Sequence, residues 1–190
     1  MYIGGDTTDA AAVEQMIDSM IAQHDNIAGV ALCINSETRW NMAKKFSDAG
    51  IAIVDGWSII NDADLDTYGI NRDLFTGWYG IDSGAYGYEA GVVIGEAVGG
   101  EGTVAITQSS FNDNENAAAA GFVKGITENY PDMKVLEPQA ESTDVTQGVG
   151  VVTSLLQANI GELVGAFGTT GTSVQTWSQA SEDLGWEGYV

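Results

Sequence analysis

Short apolar runs alternate with helically periodic stretches along the chain, and this beat limits the fold more than any other feature. "IAGVALCI", "IAIVDGW", "TVAITQ", "KVLEPQ" and "LVGAFGTT" are brief, apolar and bounded by polar residues. Runs of that kind fit strands buried on both faces of a parallel sheet. Between them lie stretches such as "AAAVEQMIDSMIAQH", where Val13, Met16, Ile17, Met20 and Ile21 recur at helical spacing behind the capping candidates Thr8 and Asp9. "SETRWNMAKKFSDAG" reads as a helix with Ser36 as N-cap and Gly50 just past its end. Further helices are expected at "YGYEAGVVIGEAVG", at "NAAAAGFVKGITENY" before Pro131, at "VTQGVGVVTSLLQAN" and at "SVQTWSQASEDLG", with a long loop after "IAIVDGW". Strand and helix in alternation predict an α/β fold: parallel sheets with helices on both faces in three layers.

Charge narrows the partners. With 27 acidic and 6 basic residues the formal net charge is −21, a field that repels phosphate backbones and anionic lipid surfaces. Nucleic acid is excluded as an expected partner, and no stretch is long and apolar enough for direct membrane insertion. The lone Cys33 has no partner for an internal disulfide and reads as a small buried hydrophobe. Met1 and "YIGGDTTDAA" show neither a basic n-region nor an apolar h-region. Cytoplasmic proteins, mature secreted forms and fragments share that start.

In parallel α/β sheets ligands bind beyond the carboxyl ends of the strands. The residues there are Asn35 and Ser36, Trp57 and Ser58, Ser109 to Asn116, Glu141 to Asp144, and Thr169 to Ser173. Hydroxyls, carboxamides and an indole dominate. Such groups suit a neutral polyhydroxylated molecule, whose hydroxyls they hydrogen-bond and whose C–H face an aromatic ring covers. They are poorly suited to building a nucleophile or holding a transition metal, so no catalysis, cofactor or metal is expected.

Five segments in order, "GGDTTDAAAVEQMIDSMIAQ", "AGIAIVDGW", "GIDSGAYGYEAG", "GTVAITQSSFNDNENAAAAGFVKGITENYPDMKV" and "GAFGTTGTSVQTWSQASEDLG", resemble type I periplasmic substrate-binding proteins, the sugar-binding, ribose-binding-protein-like components of ABC importers. The resemblance spans nearly the whole chain. It implies two α/β lobes that close on a ligand, with residues 1–78 as the first lobe and 79–190 as the second. It also implies a membrane permease as partner and a periplasmic or extracellular location, with a lipid anchor as an option in the full-length protein. Members of the family open with a strand and helix before "GGDTTDA" and continue past "WEGYV". The chain is therefore expected to be a piece of a longer protein with both lobes incomplete, and to bind ligand weakly in isolation.

Carried over position by position, the site is unusual. An Arg common in the family falls at Ala118, leaving Asn112, Asn114 and Asn116 as substitute donors, helped by free N–H groups at the helix start. Trp57 and Ser58 stand where an Asp-Arg pair is common, and Asp55 two residues earlier supplies a carboxylate only if the alignment slips. Thr143 replaces an aromatic and Thr170 an Asn or Asp. Trp57 reads equally as a ligand platform and as a packed edge residue. The alanine run at 117–120 needs no ligand, since Ala favours helix and allows close packing.

Other motifs have simpler readings. "DADLD" mimics the start of a calcium loop, but Thr67 replaces the required Gly and Asp73 the bidentate Glu. "GGEG" at 99–102 reads as a connecting turn, and His24 as a helix-terminal cation. Two functions stand after this: an extracytoplasmic sugar-binding component of an importer, and alternatively the effector-binding core of a LacI-type transcription regulator.

Overall fold

The computed structural model describes residues 10–23, 26–109, 112–142 and 144–190. His24 and Thr143 lie outside the described residues. The chain divides into two compact units, Met1–Ile81 and Asp82–Val190.

The first unit contains α1 (Ala10–Gln23), β1 (Gly29–Leu32), α2 (Glu37–Asp48), β2 (Ala52–Asp55), α3 (Asp62–Tyr68) and β3 (Phe75–Trp78). Its strands run parallel in the order β1-β2-β3. Alternation along each strand turns Val30, Leu32, Ile53 and Phe75 toward a core built with Val13 and Ile17 of α1, Trp40, Ala43 and Phe46 of α2, and Leu65 of α3. Trp40 and Tyr68 stack with ring centroids 4.4 Å apart inside it. On the opposite face Val54 and Trp78 stay 38% and 44% exposed.

The stretch expected to be a long loop after "IAIVDGW" contains α3 and β3 instead. Asn61 caps α3 in a reciprocal box with Asp64, and Gly69 ends it in the left-handed region. The Arg72 guanidinium bonds Asp62 and Asp66, each at 2.7 Å. The acidic run that imitates a calcium loop is thus a capped helix with its own cation.

In the second unit come α4 (Ser83–Ala97), β4 (Thr103–Gln108), α5 (Asp113–Asn129), β5 (Lys134–Val135), β6 (Gln139–Ala140), α6 (Val145–Ala158), β7 (Leu163–Gly168) and α7 (Ser173–Leu184). β4 is central: β7 runs along one edge, and β5 and β6 pair with its start and its end on the other, all parallel. The expected strand "KVLEPQ" is split in two because Pro138 has no N–H for the ladder. One face of the sheet holds Val104, Ile106 and Phe167 under Phe122 and Ile126 of α5. The other holds Ala105 and Ala166 under Val152 and Leu156 of α6 and Trp177 of α7. Tyr189 adds a parallel bridge to Gly165 beyond β7. Gly99, Gly100 and Gly102 take positive φ in the connecting turn anticipated for them.

α4 and α5 approach at backbone contact. A Cβ at Gly87 would stand 1.9 Å from the Ala118 carbonyl oxygen, and one at Gly121 would stand 2.1 Å from that of Gly84. Ala118 and Ala119 are buried, so half of the alanine run serves this packing. Gly87→Ala should therefore destabilise by about 1–3 kcal/mol despite alanine's better helix propensity, because backbone cannot yield as a side chain can. Gly150 in α6 has nothing within 4 Å of an added Cβ, and Gly150→Ala should stabilise by about 0.5–1 kcal/mol. Urea unfolding of the two variants checks the opposite signs.

Candidate functional site

The carboxyl ends of β1 and β2 are tied by one side chain. Asp55, the last residue of β2, is 0% exposed. Its Oδ1 accepts from the Ile34 N–H at 2.6 Å, and its Oδ2 accepts from the N–H groups of Trp57 and Ser58 at 2.9 and 2.6 Å. The Ser58 hydroxyl donates to the Ile34 carbonyl. Asp55 is thus committed to the loops, and Ser58 is buried among them. Trp57 leaves the same turn with its side chain 48% exposed, its backbone fixed by Asp55. Tyr79 donates its N–H to the Asp55 carbonyl at 2.9 Å, and Gly80 lies so close to the Trp57–Ser58 peptide that a Cβ there would meet it at 2.6 Å. Asn35 is half-buried in the loop after β1. The neighbouring Cys33 is half-buried rather than buried, and burial, followed by the charge of Asp55, pushes its thiol pKa up, with Arg39 opposing.

In the second unit the loop after β4 enters α5 three residues earlier than the sequence suggests. Asn112 is the N-cap, its Oδ1 accepting from the N–H groups of Asn114 and Glu115 at 3.1 and 3.3 Å. Asn114 and Asn116 therefore stand in the first helical turn, not in a loop. Asn116 Oδ1 accepts from Gln108 Nε2 at 3.0 Å. The free N–H groups expected here are partly satisfied by the cap. Glu115 joins the loops: it accepts from Asn112 Nδ2 and the Ser109 N–H, each at 3.1 Å, and from Thr169 Oγ1 at 3.5 Å. Ser109 Oγ is buried with no hydrogen-bond partner among the described residues.

After β6 and β7 a second buried carboxylate does the same work. Glu141, 4% exposed, accepts from Ser173 Oγ at 2.7 Å and from Thr176 Oγ1. Thr170 is buried, with its hydroxyl 2.9 Å from Ser173 Oγ and 3.0 Å from Thr172 Oγ1. The structure thus gathers Asn112, Asn114, Asn116 and Thr170 at strand ends of the second unit, and Asn35, Trp57 and Ser58 at those of the first. Sequence reasoning did not single out Asp55, Glu115 and Glu141 as organisers. For Glu115 a signal existed, since Asn112 with an acid three residues on is a capping-box pattern. Among the described residues no group of three His, Cys, Asp or Glu could hold a metal ion.

Truncating Asp55 would remove the carboxylate acceptor shared by the N–H groups of Ile34, Trp57 and Ser58. Asp55→Ala should cost about 3 kcal/mol, and Asp55→Asn less, because a carboxamide oxygen still accepts. Denaturant unfolding measures both losses, and an unchanged midpoint in Asp55→Ala would contradict the role given to this carboxylate.

Similar folds are known. A periplasmic solute-binding protein of an ABC transporter from Actinobacillus succinogenes 130z, solved with bound D-allose, superposes with a TM-score of 0.79 at 23% identity over 97% of this chain and 62% of that one. An ABC transporter solute-binding protein from Burkholderia graminis C4D1M, in complex with D-arabinose, gives 0.77 at 25% identity over 94% and 58%. The sugar-binding protein of a sugar ABC transporter from Bacillus halodurans gives 0.78 at 22% identity over 98% and 60%. The chain thus spans about three-fifths of the length of these structures. No curated protein matches it significantly. The match to the family described as periplasmic binding protein domain runs over residues 1–190, and the chain belongs to that family.

Proposed function

We propose that this chain is an extracytoplasmic solute-binding component of an ABC importer that captures a sugar or related neutral polyol and does no chemistry on it. The carrying observation is the chemistry of the strand ends: carboxamides, hydroxyls and one half-exposed indole, fixed by buried carboxylates. Its membrane partner is the importer's permease, and its place is the periplasm or the cell exterior. Family membership and three sugar-related neighbours, two solved with a monosaccharide bound, support that reading. A charge of −21 supports a transport component over the effector core of a DNA-bound regulator.

Within this proposal Asn35 and Trp57 form the ligand wall of the first unit, while Asn112, Asn114, Asn116 and Thr170 form that of the second. Ser58, which ties the loops after β1 and β2 through the Ile34 carbonyl, and Thr143 complete the set of candidate ligand residues. Trp57 offers its indole to the C–H face of a sugar ring, a contact worth about 0.5–1.5 kcal/mol beyond the area buried.

Titration of the chain with D-allose, D-fucose and D-arabinose, followed by amide NMR so that weak binding registers, should shift resonances of the strand-end loops and quench or shift tryptophan emission. Trp57→Ala should weaken binding by about tenfold while leaving the fold intact. Resonances unmoved by all sugars would remove the sugar reading. Unchanged affinity in a folded Trp57→Ala protein would instead make the indole a packing residue.

A further inference from the structure

We infer that Glu141 fixes the direction of a hydroxyl chain at the amino end of α7, so that the hydroxyl of Thr172, at the end of that chain, accepts a hydrogen bond from the ligand and has no proton to donate. The ligand half of this inference rests on the sugar-binding proposal; the direction of the chain does not.

As a carboxylate, Glu141 offers acceptors alone. Ser173 Oγ gives its single proton to Glu141 Oε2 at 2.7 Å. It can then only accept from Thr170, whose N–H lies at 3.1 Å and whose hydroxyl lies at 2.9 Å. The Thr170 proton is thereby spent on Ser173. At the 3.0 Å contact between Thr170 and Thr172, Thr172 must be the donor. Thr172 Oγ1, half-buried at the end of the chain, retains lone pairs and no free proton. Thr169 repeats the pattern with Glu115 Oε2 at 3.5 Å. Both carboxylates draw the hydroxyl protons toward themselves.

The ligand class follows. A hydroxyl or an ammonium can donate to Thr172, whereas an ether, carbonyl or carboxylate meets lone pairs. No Lys, Arg or His occurs among residues 109–116, 141–144 or 169–173 to reverse that preference. Glu141 acts through Ser173 and is a positioning residue. The site would discriminate against acidic and O-alkylated sugars and tolerate amino sugars.

Two measurements test this. In the ligand-free chain, NMR should place the Thr170 hydroxyl proton toward Ser173, seen as a cross-relaxation peak to the Ser173 β-protons. A peak to Thr172 instead overturns the inference. The second measurement takes D-allose with its monodeoxy, mono-O-methyl and monoamino derivatives. At one ring position the amino derivative should bind as well as the parent, while the deoxy and O-methyl derivatives lose about tenfold. Ser173→Ala severs the chain while leaving Thr176 on Glu141, and should shrink that discrimination. Glu141→Gln should do the same if it folds. Equal binding of O-methyl and amino derivatives at every position, or discrimination untouched in Ser173→Ala, overturns the inference. If D-allose and its derivatives do not bind at all, the sugar proposal fails for them, and the NMR measurement alone decides the direction of the chain.

Discussion

Three carboxylates at the ends of parallel strands carry much of the order of this molecule. Where a strand leaves its ladder, the N–H groups of the next few residues lose their partners, and burying them unpaired is costly. Asp55 meets that need after β1 and β2 and Glu115 after β4, while Glu141, between the ends of β6 and β7, takes hydroxyl protons from Ser173 and Thr176 instead. A buried carboxylate is itself expensive to desolvate. Asp55 and Glu141, the two fully buried ones, each recover that cost from several donors; those of Asp55 and of the half-buried Glu115 come from different loops, and those of Glu141 from the first turn of α7. The loops are consequently fixed relative to the strands of their own unit without secondary structure of their own. Trp57 is the clearest beneficiary: its backbone is held from inside while its ring remains outside.

Position along the second unit depends on a different constraint. The glycines of α4 and the small residues at the start of α5 let the two helices meet backbone to backbone, which sets where the first turn of α5 stands over the end of β4. Glu115 lies in that turn. Its reach to Ser109 and Thr169 depends on the helix sitting that close, so the glycine contacts and the strand-end network are one mechanical unit. The stacked Phe122 and Phe167, with centroids 4.8 Å apart, lock the same helix to β7.

The alternation of strands and helices was legible because buried parallel strands and amphipathic helices leave different periods in the chain. α3 and β3 were not, because their local signals conflict: "DADLD" is acidic enough to look like a loop, and "FTGW" is short and half exposed. The capping pair Asn61 and Asp64 was the missed signal. Asn112 was read as a loop residue rather than as the N-cap of α5 for a related reason, since Asn is favoured equally by caps and turns. The strand-end residues were legible as a set, but not the carboxylates that organise them. In a chain with 27 acidic residues, nothing local marks which ones are buried. Glu141 is selected by donors 32 and 35 residues away, which only the folded chain brings near.

The scarce cations reinforce this division. Lys44 and Lys45 pair with acids of α2 and α1, Arg72 with α3, and Lys124 with Glu128 on α5, all on exposed surface where such pairs stabilise little. None of these residues lies in the strand-end loops of the second unit, where a cation would compete with hydroxyls for Glu115 and Glu141. A Lys there would take the carboxylate lone pairs that now accept protons from Ser173, Thr176 and Thr169, and those hydroxyls would be free to donate elsewhere. Keeping the loops free of cations therefore leaves the two carboxylates to the hydroxyls and fixes the polarity of the rim. The same acidity that holds phosphate polymers away at long range acts at short range on single protons.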